Sequence, residues 1–191
     1  VLMLDHIREI ARNAAAADSA HDFSHSLRVL KNALKIAETE GGDPEVLTAA
    51  AFLHDIANLS KDHPESKMSS ERSAARAQEI LKELGFAPGK LAAVHDAILC
   101  HSFSRGLTPQ TLDGRIFQDA DRLDGIGAIG IARAFAVGGA LQRPITSTLD
   151  HFEAKLFQVE KKMQTETGRA LARERTKTMR DFVATLESEI N

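Results

Sequence analysis

Apolar residues recur at helical spacing along almost the whole chain, and no stretch alternates apolar and polar residues as a half-buried strand would. A first helix is predicted over about 2–17. A second follows over 22–40, with Leu27, Leu30, Leu34 and Ala37 on one stripe, and closes at Gly41-Gly42. Asp43 then caps a third helix that has Pro44 in its first position. Its run Val46-Leu47-Thr48-Ala49-Ala50-Ala51-Phe52-Leu53 is apolar on nearly every side, and the helix is expected to end near Ala57. The polar, Pro-interrupted stretch 58–69 predicts a loop. Ser70 begins a fourth helix that Gly85 ends, and Pro88 begins a fifth that reaches about His101. Thr108-Pro109 repeats the cap-then-proline signal and opens a helix bearing Asp121. Glycines at 125, 127, 130, 138 and 139 flank an apolar stretch over 126–137, which predicts close helix packing followed by a mobile loop. Two amphipathic helices over roughly 149–167 and 169–190 finish the chain.

The chain has no Tyr or Trp and no run of alternating β-branched residues, which fits an all-α fold. Its 191 residues are expected to form one domain over 1–191, with the helices of 149–190 packed on the core. A formal charge of -3 gives no global attraction to nucleic acid or to an anionic membrane. The basic residues Lys161, Lys162, Arg169, Arg173, Arg175, Lys177 and Arg180 alternate with acids and lack interleaved aromatics. They read as a solvated helix pair, and no nucleic-acid partner is expected. The single Cys100 cannot form an internal disulfide, and no run approaches the roughly 20 apolar residues of a membrane span. No membrane partner is therefore expected. Val1-Leu2-Met3-Leu4 lacks the basic flank of a secretory signal, so a cytoplasmic address is expected; nothing in the pattern specifies an oligomeric state.

The dipeptide His-Asp occurs at 21–22, 54–55 and 95–96. Only His54-Asp55 closes a helix that is apolar nearly all round, where two ionisable side chains need a strong partner, either a metal ion or hydrogen-bonding groups in a dry core. His25 shares a helix face with Arg28 and Asn32, and the alternative for it is a solvent-facing histidine. Asp119 and Asp121 point to different faces of their helix, and either could supply a carboxylate. His101-Ser102-Phe103-Ser104-Arg105-Gly106 could serve a phosphate or simply hydrogen-bond within the fold. Arg28, Lys61, Arg105 and Arg122 are the candidate phosphate cations.

The set His25, His54, Asp55 and Asp121 resembles the ligand pattern of the HD superfamily of metal-dependent phosphohydrolases. The likeness extends through Asp22-Phe23-Ser24-His25, Leu53-His54-Asp55-Ile56, Lys61-Asp62-His63-Pro64, Gln118-Asp119-Ala120-Asp121-Arg122-Leu123-Asp124 and Gly127-Ala128-Ile129-Gly130. Over nearly its whole length the chain looks like small stand-alone bacterial members. The resemblance implies an HD-type helical bundle, Asp121 rather than Asp119 as ligand, and hydrolysis of phosphate esters or anhydrides. Asn58-Leu59 departs from the acidic residues that the alarmone-hydrolase and bacterial nucleotidase branches carry after the dipeptide, so neither specific activity transfers.

Ligands of this kind without a thiolate suit one divalent ion, Mn²⁺ first, with Mg²⁺, Co²⁺, Ni²⁺ or Fe²⁺ as alternatives. Asp55 and Lys61 would act at the reacting phosphate, and Asp62, His63, Glu71 and His101 are the candidate general bases. The expected substrate is a small phosphate compound, a nucleotide first, with pyrophosphate release from nucleoside triphosphates as one form of that chemistry. Phosphodiester or phosphomonoester hydrolysis of another small substrate is an alternative. A non-catalytic helical module binding a nucleotide or a partner protein is another.

Overall fold

The computed structural model describes residues 2–15, 23–57, 59 and 63–190, and no strand occurs among them. Contacts divide the chain into two compact units, Val1–Asp121 and Arg122–Asn191.

The first unit contains α1 (Leu2–Ala14), α2 (Phe23–Glu40), α3 (Pro44–Leu53), α4 (Ser69–Glu83), α5 (Leu91–Cys100) and all but the last turn of α6 (Leu112–Asp124). Asp43 caps α3 as its pattern predicts, accepting from the Glu45 amide at 2.9 Å, with Pro44 next. Val46, Leu47, Ala49, Ala50, Ala51 and Leu53 are all buried, so α3 cannot lie at the surface. It is packed by α1, α2, α4 and α5. The alanine run lets these neighbours approach closely, and the end of α3 thus lies among several helices.

Helix α3 stops at Leu53, where its apolar run ends and short of the expected end near Ala57, and turns continue to Ala57. Two serines of α4 receive the outgoing backbone: Ser73 Oγ accepts from Ala57 N at 3.1 Å and Ser69 Oγ from Leu59 N at 3.2 Å. Side-chain acceptors thereby replace the lost helical bonds. Gly41 and Gly85 adopt φ of +85° and +72° just after α2 and α4, the backbone in which glycine meets no Cβ penalty.

The start of α6 differs from the cap-then-proline expectation. Thr111, not Thr108, caps it, with Oγ1 accepting from Gly114 N at 2.9 Å. The turn is held from α5 by Asp96, which accepts from Gln110 N at 3.0 Å, Thr111 N at 2.8 Å and Thr111 Oγ1 at 2.7 Å. A Cβ on Gly114 would lie 2.5 Å from Asp96 Oδ2 and 2.8 Å from Pro109 Cβ, so glycine permits this approach.

In the second unit, α7 (Gly127–Ala140), α8 (Ile145–Ala154) and α9 (Glu166–Ile190) pack α7 on α8 and on α9. Gly138 and Gly139 lie inside α7 and do not begin a loop. A Cβ on Gly138 would come within 2.6 Å of Thr148 Oγ1, so that glycine marks a close helix crossing. The helix expected over 149–167 also ends early, at Ala154. Two 3₁₀ turns follow, Leu156–Gln158 and Glu160–Lys162, and Leu156, Phe157, Val159 and Met163 are all buried, a wider arc than one helix stripe provides. Arg175 corrects the picture of a uniformly solvated basic run. Its guanidinium donates to the Leu123 carbonyl and its stem lies against Gly127, so part of this basic run is structural.

Burial raises the Asp96 pKa, but hydrogen bonds from Thr111 and Gln110 outweigh it and hold the carboxyl below its ordinary value. Asp96→Ala is expected to lower unfolding free energy by about 2–3 kcal/mol, read by urea denaturation. Because the folded pKa is the lower one, the difference between parent and variant should be constant above about pH 4 and shrink as pH falls below it.

Candidate metal centre

His54 sits where α3 ends, still in αR conformation, and its backbone N–H donates to Ala50 O. Its ring is fixed by a second local bond, Nδ1 donating to the Ala51 carbonyl at 2.9 Å. In the neutral ring this leaves Nε2 as a bare acceptor. That atom points away from its own helix and lies 3.1 Å from Nε2 of His25 on α2. His25 Nε2 is in turn 3.4 Å from Asp121 Oδ1 on α6. Ligand atoms of His25, His54 and Asp121 all lie within 4.8 Å of one another, a spacing that could hold a metal ion.

Asp55 stands beside this triplet. One carboxylate oxygen is 3.3 Å from His54 Nε2 and the other 3.9 Å from His101 Nε2 at the end of α5. Its side chain keeps 23% exposure, whereas that of His54 keeps 1%, so Asp55 is the acidic group of the pair that solvent reaches. His101 repeats the arrangement of His54, with Nδ1 donating to the carbonyl three residues back, Ile98, at 2.6 Å.

The electrostatics favour a cation. Burial opposes ionisation of Asp55, but His54, His101 and His25 outweigh it and hold the carboxyl well below the usual range. For Asp121, burial is likewise outweighed, by the His25 hydrogen bond and the surrounding imidazoles. Burial also disfavours a charged His54, yet the Asp55 carboxylate, with Asp121 behind it, raises its pKa. His101 goes the other way, because burial and the nearness of His54 outweigh the carboxylates and lower it. Two half-buried anions thus face imidazoles whose Nε2 atoms converge, a donor set that fits a divalent ion.

The other predicted residues are dispersed. Arg28 lies one turn from His25 and donates to Ser24 Oγ at 2.7 Å. Arg105 is 3.3 Å from the Glu71 carboxylate, so these two form an ion pair. His63 is exposed and accepts from the Glu65 amide at 3.1 Å. Arg122 is buried in the second unit and donates to the Lys162 carbonyl, so its guanidinium is engaged with backbone. Lys61 and Asp62 lie outside the described residues.

Sequence reading did not single out Phe117. It is fully buried on α6 and meets the His54 ring edge to face at 5.6 Å and the His101 ring at 6.5 Å. The available signal was its place one turn before Asp121, on a helix whose other conspicuous residues are polar. Asn32 ties the two ligand helices together, donating from α2 to the Ala120 carbonyl beside Asp121 at 3.1 Å.

The HD domain family model matches residues 22–126. YpgQ of Bacillus subtilis is 34% identical, over 90% of this chain and 85% of its own. The crystal structure of YpgQ in complex with ADP superposes with a TM-score of 0.79 at 30% identity, covering 98% of this chain and 95% of that one. A predicted HD superfamily hydrolase from an uncultured Thermotogales bacterium gives a TM-score of 0.73 at 34% identity, covering 98% and 93%. An HD-superfamily hydrolase from Bacillus thuringiensis gives 0.76 at 31%, covering 100% and 95%. The chain belongs to the HD domain family. Among the described residues, no single helix is long and apolar enough to cross a membrane.

Because a ligand that binds only the folded state stabilises it, Mn²⁺ at 100 times its dissociation constant should add about 2.7 kcal/mol. Thermal melts with and without Mn²⁺ should show a rise in Tm for the parent and almost none for His25→Ala, His54→Ala or Asp121→Ala.

Proposed function

We propose that the protein is a divalent-metal-dependent phosphohydrolase acting on nucleotides. The convergence of His25 Nε2, His54 Nε2 and the Asp121 carboxylate beside a solvent-reached Asp55 carries the reading. We assign His25, His54, Asp55 and Asp121 as the ligands of one ion, Mn²⁺ as first choice. A nucleotide is the proposed substrate because YpgQ, similar over nearly the whole chain, has been crystallised with ADP. Pyrophosphate release from nucleoside triphosphates is the first form to test.

A divalent ion in this site supplies Lewis acidity toward a phosphoryl oxygen and lowers the pKa of a nearby water. The chain's residues would do the rest. The His54 ring is held by its bond to the Ala51 carbonyl and the His25 ring packs edge-on against it, so little reorganisation accompanies binding. His101 is the proposed general base, since its Nε2 carries the lone pair, its lowered pKa keeps it neutral, and it faces Asp55. Water attacks phosphorus, the bond to the leaving oxygen breaks, and His101 takes the proton of the attacking water. Arg28 and Arg105 are the proposed partners of substrate phosphates, Arg105 by exchanging Glu71 for the ligand. Glu71 and His63 are both exposed, and His63 is turned to the Glu65 amide, so they are poorer bases.

A panel of nucleoside mono-, di- and triphosphates and phosphoesters, assayed with several divalent ions, tests the reading. Hydrolysis is expected for at least one nucleotide, and its absence across the panel would overturn the assignment. His54→Ala and Asp55→Ala should lower kcat by orders of magnitude, while the exposed Arg173→Ala leaves it unchanged.

Steady-state kinetics should also separate the candidate bases. His101→Ala is expected to reduce kcat about 10²- to 10⁴-fold with Mn²⁺ still bound, and His63→Ala to stay within about twofold of the parent.

A further inference from the structure

The Gln118 side chain is completely buried, and its amide nitrogen makes two short bonds, to the Cys100 carbonyl at 2.6 Å and to the Leu107 carbonyl at 2.8 Å. These acceptors bracket one short segment. Helix α5 ends at Cys100, a 3₁₀ turn occupies Phe103–Arg105, and Gly106 at φ +63° turns the chain so that Leu107 returns to the same amide. The two N–H groups of one side chain therefore close the segment that carries His101 and Arg105.

The Cys100 bond is the informative one. That carbonyl belongs to the Cys100–His101 peptide, and a planar peptide fixed at its oxygen also has the direction of its N–H and following Cα fixed. It is also among the last carbonyls of α5, which have no partner within the helix. The His101 ring is then held at two more points, by Nδ1 on the Ile98 carbonyl at 2.6 Å and by Phe117, the residue before Gln118. Backbone, ring edge and ring face are each restrained. The result is Nε2 set 3.9 Å from Asp55. An apolar residue of equal volume would fill the space but leave both carbonyls without this donor.

We infer that Gln118 is a positioning residue for His101, acting through the Cys100–His101 peptide; the inference rests on the hydrolase reading above. Gln118→Met removes both donors at similar volume, and Gln118→Asn keeps the donors but falls a methylene short. In each, the helical circular dichroism and the Mn²⁺-induced rise in Tm should survive, because His25, His54 and Asp121 are untouched. With the best substrate, kcat should fall about 10- to 100-fold while KM changes less than about threefold. In the His101→Ala background the same substitutions should change kcat less than about twofold, because a residue acting through His101 has nothing left to position. A full-sized effect in that background, or an unaltered kcat in the parent background, would overturn the proposal.

A readout independent of turnover is the ¹⁵N spectrum of the histidine rings in the Mg²⁺-loaded protein. The His101 signals, identified by their loss in His101→Ala, should move in Gln118→Met while those of exposed His63 stay in place. If no nucleotide is hydrolysed, moved His101 signals still support the positioning role, and the failure falls on the hydrolase reading alone. Coincident His101 signals in parent and variant would refute it. Should Gln118→Met not fold, Gln118→Asn carries the same measurements, and failure of both to fold would assign the amide to the fold rather than to His101.

Discussion

A helix that is apolar on nearly every side can exist only inside other helices, and α3 imposes that requirement on the first unit. Its alanines bring α2 and α5 close, and its last residue is followed at once by two ionisable side chains. Burying His54 and Asp55 would be costly anywhere, but here the enclosing helices answer the charge. Helices α2, α5 and α6 present His25, His101 and Asp121 to the end of α3. Hydrophobic enclosure thus dictates where polar chemistry must be concentrated, and the same packing that makes the core makes the centre.

The centre is organised by backbone carbonyls as much as by charges. His54 and His101 each donate from Nδ1 to the carbonyl three residues back, so each presents Nε2 outward in the same tautomer. Asn32 and Gln118 likewise donate to carbonyls next to a site residue, Ala120 before Asp121 and Cys100 before His101. These bonds leave the short His and Asp side chains little freedom to turn away from the site. Their value lies in orientation, since each alone contributes only about 1 kcal/mol to stability.

Much of this was readable in the sequence. The 3.6-residue period gave the helices, and Asp43-Pro44 marked the start of α3 because its cap chemistry is local. The apolar run before His54 singled out one His-Asp pair of three for the same reason: an ionisable group after such a run has no local solution. What escaped depended on contacts remote in sequence. Nothing local says that Asp96 reaches across to Thr111 and moves the start of α6. Gly138 reads as a loop until the neighbouring Thr148 is seen to need its missing Cβ. Phe117 and Gln118 resemble ordinary helix residues until the rings and carbonyls they touch are known. His25 and Asp121 were legible through family likeness more than spacing, since they lie nearly a hundred residues apart.

Cys100 shares Asp96 with the turn that starts α6, its thiol lying 3.7 Å from the carboxylate. Burial, with Asp96 adding to it, pushes the thiol pKa up to about 11, so at neutral pH the thiol stays protonated. The folded protein is therefore nearly inert to alkylating agents at its one cysteine. Reaction there must await exposure of the end of α5, so the labelling rate of Cys100 becomes a built-in clock for local opening beside His101.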